Sequence, residues 1–118
     1  MYFIGRNKFG EFGLGYEEAA TGSLVKCPNK LLTKVFCGYC YNIFTDNNLD
    51  EIWCAGTNYE GECGIDDDAT IDSYTEITHF KSNNIKIKNI FTNASGFTTF
   101  FISTQEKLMI AVKELVKF

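Results

Sequence analysis

The sequence predicts an all-β protein of antiparallel strands arranged as two tandem repeats. A ten-residue glycine pattern occurs twice, 51 residues apart. Short runs of β-branched and aromatic residues recur between clusters of Gly, Asn and Asp, as strands do. Eleven phenylalanines and six tyrosines in 118 residues demand a packed interior, which a disordered chain lacks.

The repeated pattern is G-x-N-x-x-G-E-x-G-[LI]. Gly5-Arg6-Asn7-Lys8-Phe9-Gly10-Glu11-Phe12-Gly13-Leu14 lies over Gly56-Thr57-Asn58-Tyr59-Glu60-Gly61-Glu62-Cys63-Gly64-Ile65. Six of the ten glycines fall in these two copies, so coincidence is a poor explanation. Glycine permits positive φ and close backbone approach, and asparagine bonds turn backbone with its own side chain. Both copies therefore predict tight connections.

The strands follow in order. Lys34–Phe36 and Asn42–Thr45 form the first pair of runs after the first copy. Thr45-Asp46-Asn47-Asn48-Leu49-Asp50 is a hairpin loop leading into Glu51–Ala55, directly before Gly56. After the second copy, Lys81–Lys88 is expected as an exposed connection, followed by strands at Ile87–Phe91 and Thr98–Ser103. The segment at Lys34 resembles that at Asn89 with an offset of 55 to 56. Leu108–Ala111 corresponds to Ile52–Ala55 and is expected as a strand. Ser103-x-x-Glu106 offers a helix capping box as the competing reading, with Leu108, Val112 and Leu115 at helical spacing. The length predicts a single domain, 1–118, with repeat one at about 1–51, repeat two at about 52–107, and a remnant at 108–118.

The combination of both glycine motifs with Cys37-Gly38-Tyr39, Thr45-Asp46-Asn47 and Ile52-Trp53-x-x-Gly56 resembles the repeat of the regulator of chromosome condensation family. That resemblance covers Tyr2 to about Ala111. It implies two four-stranded antiparallel blades of an incomplete β-propeller. The departures are specific. Glu11 and Glu62 stand where glutamine is usual, and Phe12 and Cys63 stand where leucine is usual. Asp66 replaces a glycine, and Tyr41 or Cys40 stands where a histidine is common. Val112, Glu114 and Lys117 fill the places where a third Gly-x-Asn-x-x-Gly motif would begin, so the ring does not continue by this sequence.

Several function classes are excluded or disfavoured. The net charge is −4, and the basic residues are ten lysines and the single Arg6, which disfavours a nucleic-acid partner. No segment reaches the roughly 18 apolar residues of a membrane span. Met1–Arg6 is too short an apolar start for a signal peptide. The expected setting is intracellular, cytoplasmic or nuclear, with all five cysteines as free thiols.

Candidate chemistry is sparse. Cys37, Cys40, Cys54 and Cys63 supply four sulfurs, enough for tetrahedral zinc, but a second C-x-x-C is missing and buried thiols acting as small hydrophobes are the default. Gly10-x-x-Gly13 lacks the Lys-Ser/Thr pair of a phosphate loop. Asp66-Asp67-Asp68 lacks the ligand spacing of a calcium loop. His79 is the only histidine and has no visible catalytic partner. No catalytic, cofactor-binding or metal residue is assigned, and no enzyme activity is expected. The resemblance implies a protein-interaction scaffold whose open blade faces are covered by a protein partner or by oligomerisation. Its alternatives are an exchange-factor-like regulator of a small GTPase, or a regulatory fragment of a larger enzyme.

Overall fold

The computed structural model describes residues 1–27, 30–66, 70–93 and 95–111. Among the described residues, nine strands form three antiparallel sheets. β1 (Tyr2–Asn7) pairs with β2 (Glu18–Lys26). β3 (Lys34–Cys37), β4 (Tyr41–Thr45), β5 (Ile52–Gly56) and β6 (Ile71–Glu76) form a four-stranded meander. β7 (Ile87–Phe91), β8 (Thr99–Ser103) and β9 (Leu108–Ala111) form the third sheet. A short helix, α1 (His79–Ser82), precedes β7.

The all-β antiparallel expectation holds, with the strands shared out as two, four and three among the sheets. The sequence repeat is out of phase with these layers. Its boundary near residue 51 falls between β4 and β5, neighbours within one sheet that pair from Tyr41↔Gly56 to Thr45↔Ile52. β1 and β5 are the same position of successive repeats, as are β9 and β5. The first sheet therefore holds the last two strands of the meander pattern, and the third sheet holds its first three. Leu108–Ala111 is a strand, not the start of a helix, because Ser103 Oγ accepts the Gln105 and Lys107 N–H groups in a turn that returns the chain beside β8. Val112 and the remainder of the expected remnant lie outside the described residues.

The sheets stack face to face, and the strand period of two decides what each layer buries. Between the first and second sheets lie Phe3, Phe12, Cys27, Leu32, Phe44 and Ala55. Phe3 stacks on Phe12 at 4.9 Å and meets Phe44 edge-on at 5.9 Å. Tyr74 of β6 closes this layer: its hydroxyl lies 3.1 Å from Cys27 Sγ. Burial, and then that contact, hold the phenol well above its usual pKa. Between the second and third sheets lie Tyr41, Ile43, Cys54, Ile77, Phe80 and Phe101, among others. Burial at about 25 cal/mol per Å² of apolar surface makes these two layers the main source of cohesion.

The stretch from Lys81 to Lys88 is exposed as expected except at Ile85 and at Ile87, which is buried at the start of β7, while Phe80 just before it packs into the core against Phe101. One expectation is corrected here: not all five cysteines are free, because Cys54 and Cys63 form a disulfide. The motif loop folds back over the end of β5 and brings their Cα atoms to 5.8 Å, within the span that a disulfide bridges. Cys27, Cys37 and Cys40 remain thiols.

Candidate interaction site

The two glycine motifs fold into the same hydrogen-bonded cage. In the first, Asn7 is fully buried and its Oδ1 accepts the Phe12 N–H at 2.9 Å. In the second, Asn58 Oδ1 accepts the Cys63 N–H at 2.9 Å. Gly10 N–H donates to Asn7 O, and Gly61 N–H to Asn58 O, each at 3.1 Å. The φ angles match as well: 72° and 76° at Gly10 and Gly61, 70° and 67° at Gly13 and Gly64. No residue with a side chain adopts these positions cheaply. The amides of Phe9, Gly10, Phe12 and Gly13 are all taken up by internal acceptors, so the loop offers no cradle to a phosphate.

Glycine is required here for a second reason. The first motif loop lies along β6 of the neighbouring sheet, with Gly15 N–H donating to Asp72 O at 2.7 Å and Tyr74 N–H to Gly13 O at 3.2 Å. A Cβ on Gly10 would sit 2.5 Å from Asp72 Cα. The repeat thus spends its small residues on joining adjacent layers.

A repeated latch strengthens that joint. Asn42 Nδ2 donates to the backbone carbonyl of Glu11 at 2.8 Å. At the equivalent place in the next layer, Thr99 Oγ1 donates to the carbonyl of Glu62 at 2.6 Å. Tyr41 adds to the second latch, its hydroxyl lying 2.8 Å from Thr99 Oγ1. Burial raises the Tyr41 pKa, a rise that the Thr99 hydrogen bond partly opposes.

The two motif glutamates also have definite partners. Glu11 Oε2 accepts the Phe9 N–H at 2.8 Å, and Glu62 Oε2 accepts the Glu60 N–H at 2.9 Å. The second oxygens differ. Glu11 Oε1 lies 3.8 Å from Arg6 Nε, whereas Glu62 Oε1 accepts the Thr57 hydroxyl at 2.6 Å.

The strand pairing puts three kinds of connection at one end of the molecule: the motif loops, the β3–β4 turn and the β7–β8 loop. Large exposed side chains gather there. Tyr39 and Phe97 meet edge to face at 5.3 Å, and both are solvent-exposed. Arg6 lies over the Phe9 ring at 5.2 Å and donates through Nη2 to Cys40 Sγ at 3.0 Å. Tyr59 is exposed on the second motif loop. A groove of about 270 Å³ runs between Arg6, Glu11, Phe12, Tyr39, Cys40 and Asn42. Burial pushes the Cys40 thiol pKa up, and the Arg6 charge only partly offsets it. Cys37 is raised by burial as well. Both thiols are therefore protonated and poor nucleophiles near neutral pH.

The opposite end has another character. Lys81 pairs with Glu51 at 2.8 Å and Glu76 at 2.7 Å, Lys86 with Asp50, and Lys88 with Glu106.

The four sulfurs considered for zinc do not converge. Cys37 and Cys40 flank the β3–β4 turn, while Cys54 and Cys63 are consumed by their disulfide in the core. Among the described residues, no three His, Cys, Asp or Glu side chains are placed to hold a metal ion. His79 opens α1 with its ring against Phe80 at 5.7 Å. Of the acidic run only Asp66 lies within the described residues. The aromatic cluster escaped the sequence reading, although each member adjoins a turn residue: Gly38-Tyr39, Asn58-Tyr59 and Gly96-Phe97.

No helix among the described residues is long and apolar enough to cross a membrane. No protein-family model and no curated protein matches the chain. Its fold does resemble solved structures. One is the crystal structure of human WBSCR16, with a TM-score of 0.73 and 16% sequence identity over 92% of this chain. This chain spans 28% of that one.

Proposed function

We propose that this chain is a protein-interaction scaffold built from propeller-type repeats, with its partner received on the loop end that carries Arg6, Tyr39, Tyr59 and Phe97. The observation behind this reading is the exposed Tyr39–Phe97 pair, with Arg6 across the groove. Tyrosine, phenylalanine and arginine supply large contact area at low entropic cost, and they are enriched at protein interfaces. Beneath it, the cages hold each motif loop in shape and the latches tie that loop to the next layer. The motif resemblance to the regulator of chromosome condensation family, and the likeness to WBSCR16, support a propeller-type platform.

The test is affinity capture from cells of the native organism, with the wild-type chain and a Tyr39→Ala/Phe97→Ala double variant as baits. Central aromatic anchors contribute about 2 kcal/mol each, so the partner's affinity should fall by about 30-fold for one ring and up to roughly a thousandfold for both. A partner retained at wild-type strength by a folded double variant would refute the assignment of this face.

The resemblance also favours a second reading, nucleotide exchange on a small GTPase. It requires no covalent chemistry, only a loop surface that opens the nucleotide site. Acceleration of labelled-nucleotide release at substoichiometric protein would select it over the scaffold reading.

A further inference from the structure

Phe3 and Phe12 stand in the first repeat where Cys54 and Cys63 stand in the second, each 51 residues earlier. Both pairs tie a strand, β1 or β5, to the motif loop that follows it. The means differ. Phe3 stacks on Phe12 at 4.9 Å, whereas Cys54 and Cys63 are joined covalently. The asparagine cage and the carbonyl latch are common to both loops, so this anchor is where the repeats part.

The difference makes one loop depend on oxidation state and leaves the other indifferent to it. A phenylalanine buries about 150–250 Å² of its surface, and that contact is the same in oxidising and reducing solution. Two thiols bury far less, so with the bond cleaved nothing of comparable size holds Cys63 to β5. A disulfide removes open conformations from the segment it closes, and cleavage restores them. Both sulfurs are fully buried, so a reductant reaches them when the motif loop lifts locally. The bond lies at the root of the loop that presents Tyr59. The same loop supplies the Glu62 carbonyl that accepts Thr99 Oγ1, and Thr99 opens β8 two residues after the exposed Phe97. Arg6 belongs to the first motif, which Phe3 and Phe12 hold in either state.

We propose that Cys54–Cys63 is a redox-sensitive lock on the interaction end of the molecule. Oxidised, it fixes the second motif loop for a partner; reduced, it frees that loop while the first stays in place. In the reductive step a thiolate of a dithiol reductant attacks one sulfur and gives a mixed disulfide, which the reductant's second thiolate resolves. Two electrons and two protons pass to Cys54 and Cys63, and the reductant leaves as its own disulfide. The consequence for binding rests on the partner face assigned above, but the lock itself is read without any partner, so the two fail separately.

Amide hydrogen exchange of the intact chain, equilibrated without denaturant in dithiothreitol or in oxidised glutathione, tests this. The repeat supplies matched probes: Gly61, Cys63 and Gly64 donate within the second loop as Gly10, Phe12 and Gly13 do within the first. On reduction the second set should exchange at least about tenfold faster, the first set should change by less than about twofold, and oxidised glutathione should reverse the effect. Cys54→Ala/Cys63→Ala should show the fast second loop in both buffers; if that variant does not fold, the wild-type comparison decides alone. A bond that yields to the reductant only in denaturant overturns the proposal, because it is then a fixed staple. Equal exchange in the two buffers overturns it too, as does loosening of both loops alike, which would make the bond a support of the whole fold.

Discussion

Gly5 and Gly56 allow backbone strain to be separated from close packing, because the repeat gives them the same φ of 112° in different surroundings. At Gly56 an added Cβ would lie 2.4 Å from Cys40 O and 2.5 Å from Tyr41 Cα. At Gly5 nothing lies within 4 Å of it. Alanine at either site must adopt a backbone conformation that costs about 1–3 kcal/mol. Gly56→Ala must in addition push back β4, whose backbone is held by pairing to β5 and by Thr57 N–H donating to Cys40 O at 2.9 Å. Overpacking of this type adds about 1–3 kcal/mol. Gly5→Ala should therefore cost about 1–3 kcal/mol and Gly56→Ala about 2–6 kcal/mol. Urea unfolding monitored by circular dichroism measures both, a lower midpoint at unchanged slope reporting lost stability alone. Equal losses at the two glycines would refute the reasoning, since they would mean that approach of β4 contributes nothing at Gly56.

Other consequences can be checked alongside. Asn58→Ala strands the buried Cys63 N–H and releases the Ile65 carbonyl that Asn58 Nδ2 serves at 2.8 Å, so unfolding free energy should drop by about 2–4 kcal/mol. Thiol titration of the denatured, unreduced chain should count the three thiols of Cys27, Cys37 and Cys40, and reduction should add the Cys54–Cys63 pair and lower stability by about 2–3 kcal/mol. The Lys81 and Trp53 hydrogen bonds hold the Glu51 carboxyl below its ordinary 4.5. A depressed carboxyl stabilises the fold above the unfolded value and loses that effect as pH falls through the folded one. The small melting-temperature deficit of Lys81→Met near neutrality should accordingly shrink below about pH 4, and an unchanged deficit in acid would count against the pairing.

The parts of the fold that were legible are those where local chemistry repeats. The matched glycines and asparagines announced two identical turns, and positive φ at Gly10 and Gly61 follows from that identity. β4, β5 and β8 were visible as dense apolar runs because both of their faces are buried or half-buried. β2 was not, since Glu18–Lys26 is built of small and polar residues around Gly22 and lies at a sheet edge. β6 was missed for a similar reason: only Ile71 of its six residues is buried. The phase of the repeat against the sheets stayed hidden because a repeat has no intrinsic starting point. Pairing alone shows that β4 and β5 share a layer. The disulfide was hidden as well, because nine residues of separation say nothing until the motif loop is seen to fold back. The aromatic cluster needed the topology to bring three separate loops to one end.

The half-step between repeat and layer has a bearing on how such a chain lengthens over evolutionary time. A gene duplication copies the repeat, and each repeat begins with the second half of one sheet and ends with the first half of the next. Every added copy therefore completes one layer in the interior and leaves the same two partial layers at the ends. Duplication carries these partial layers outward until the two meet, where each supplies the strands that the other lacks.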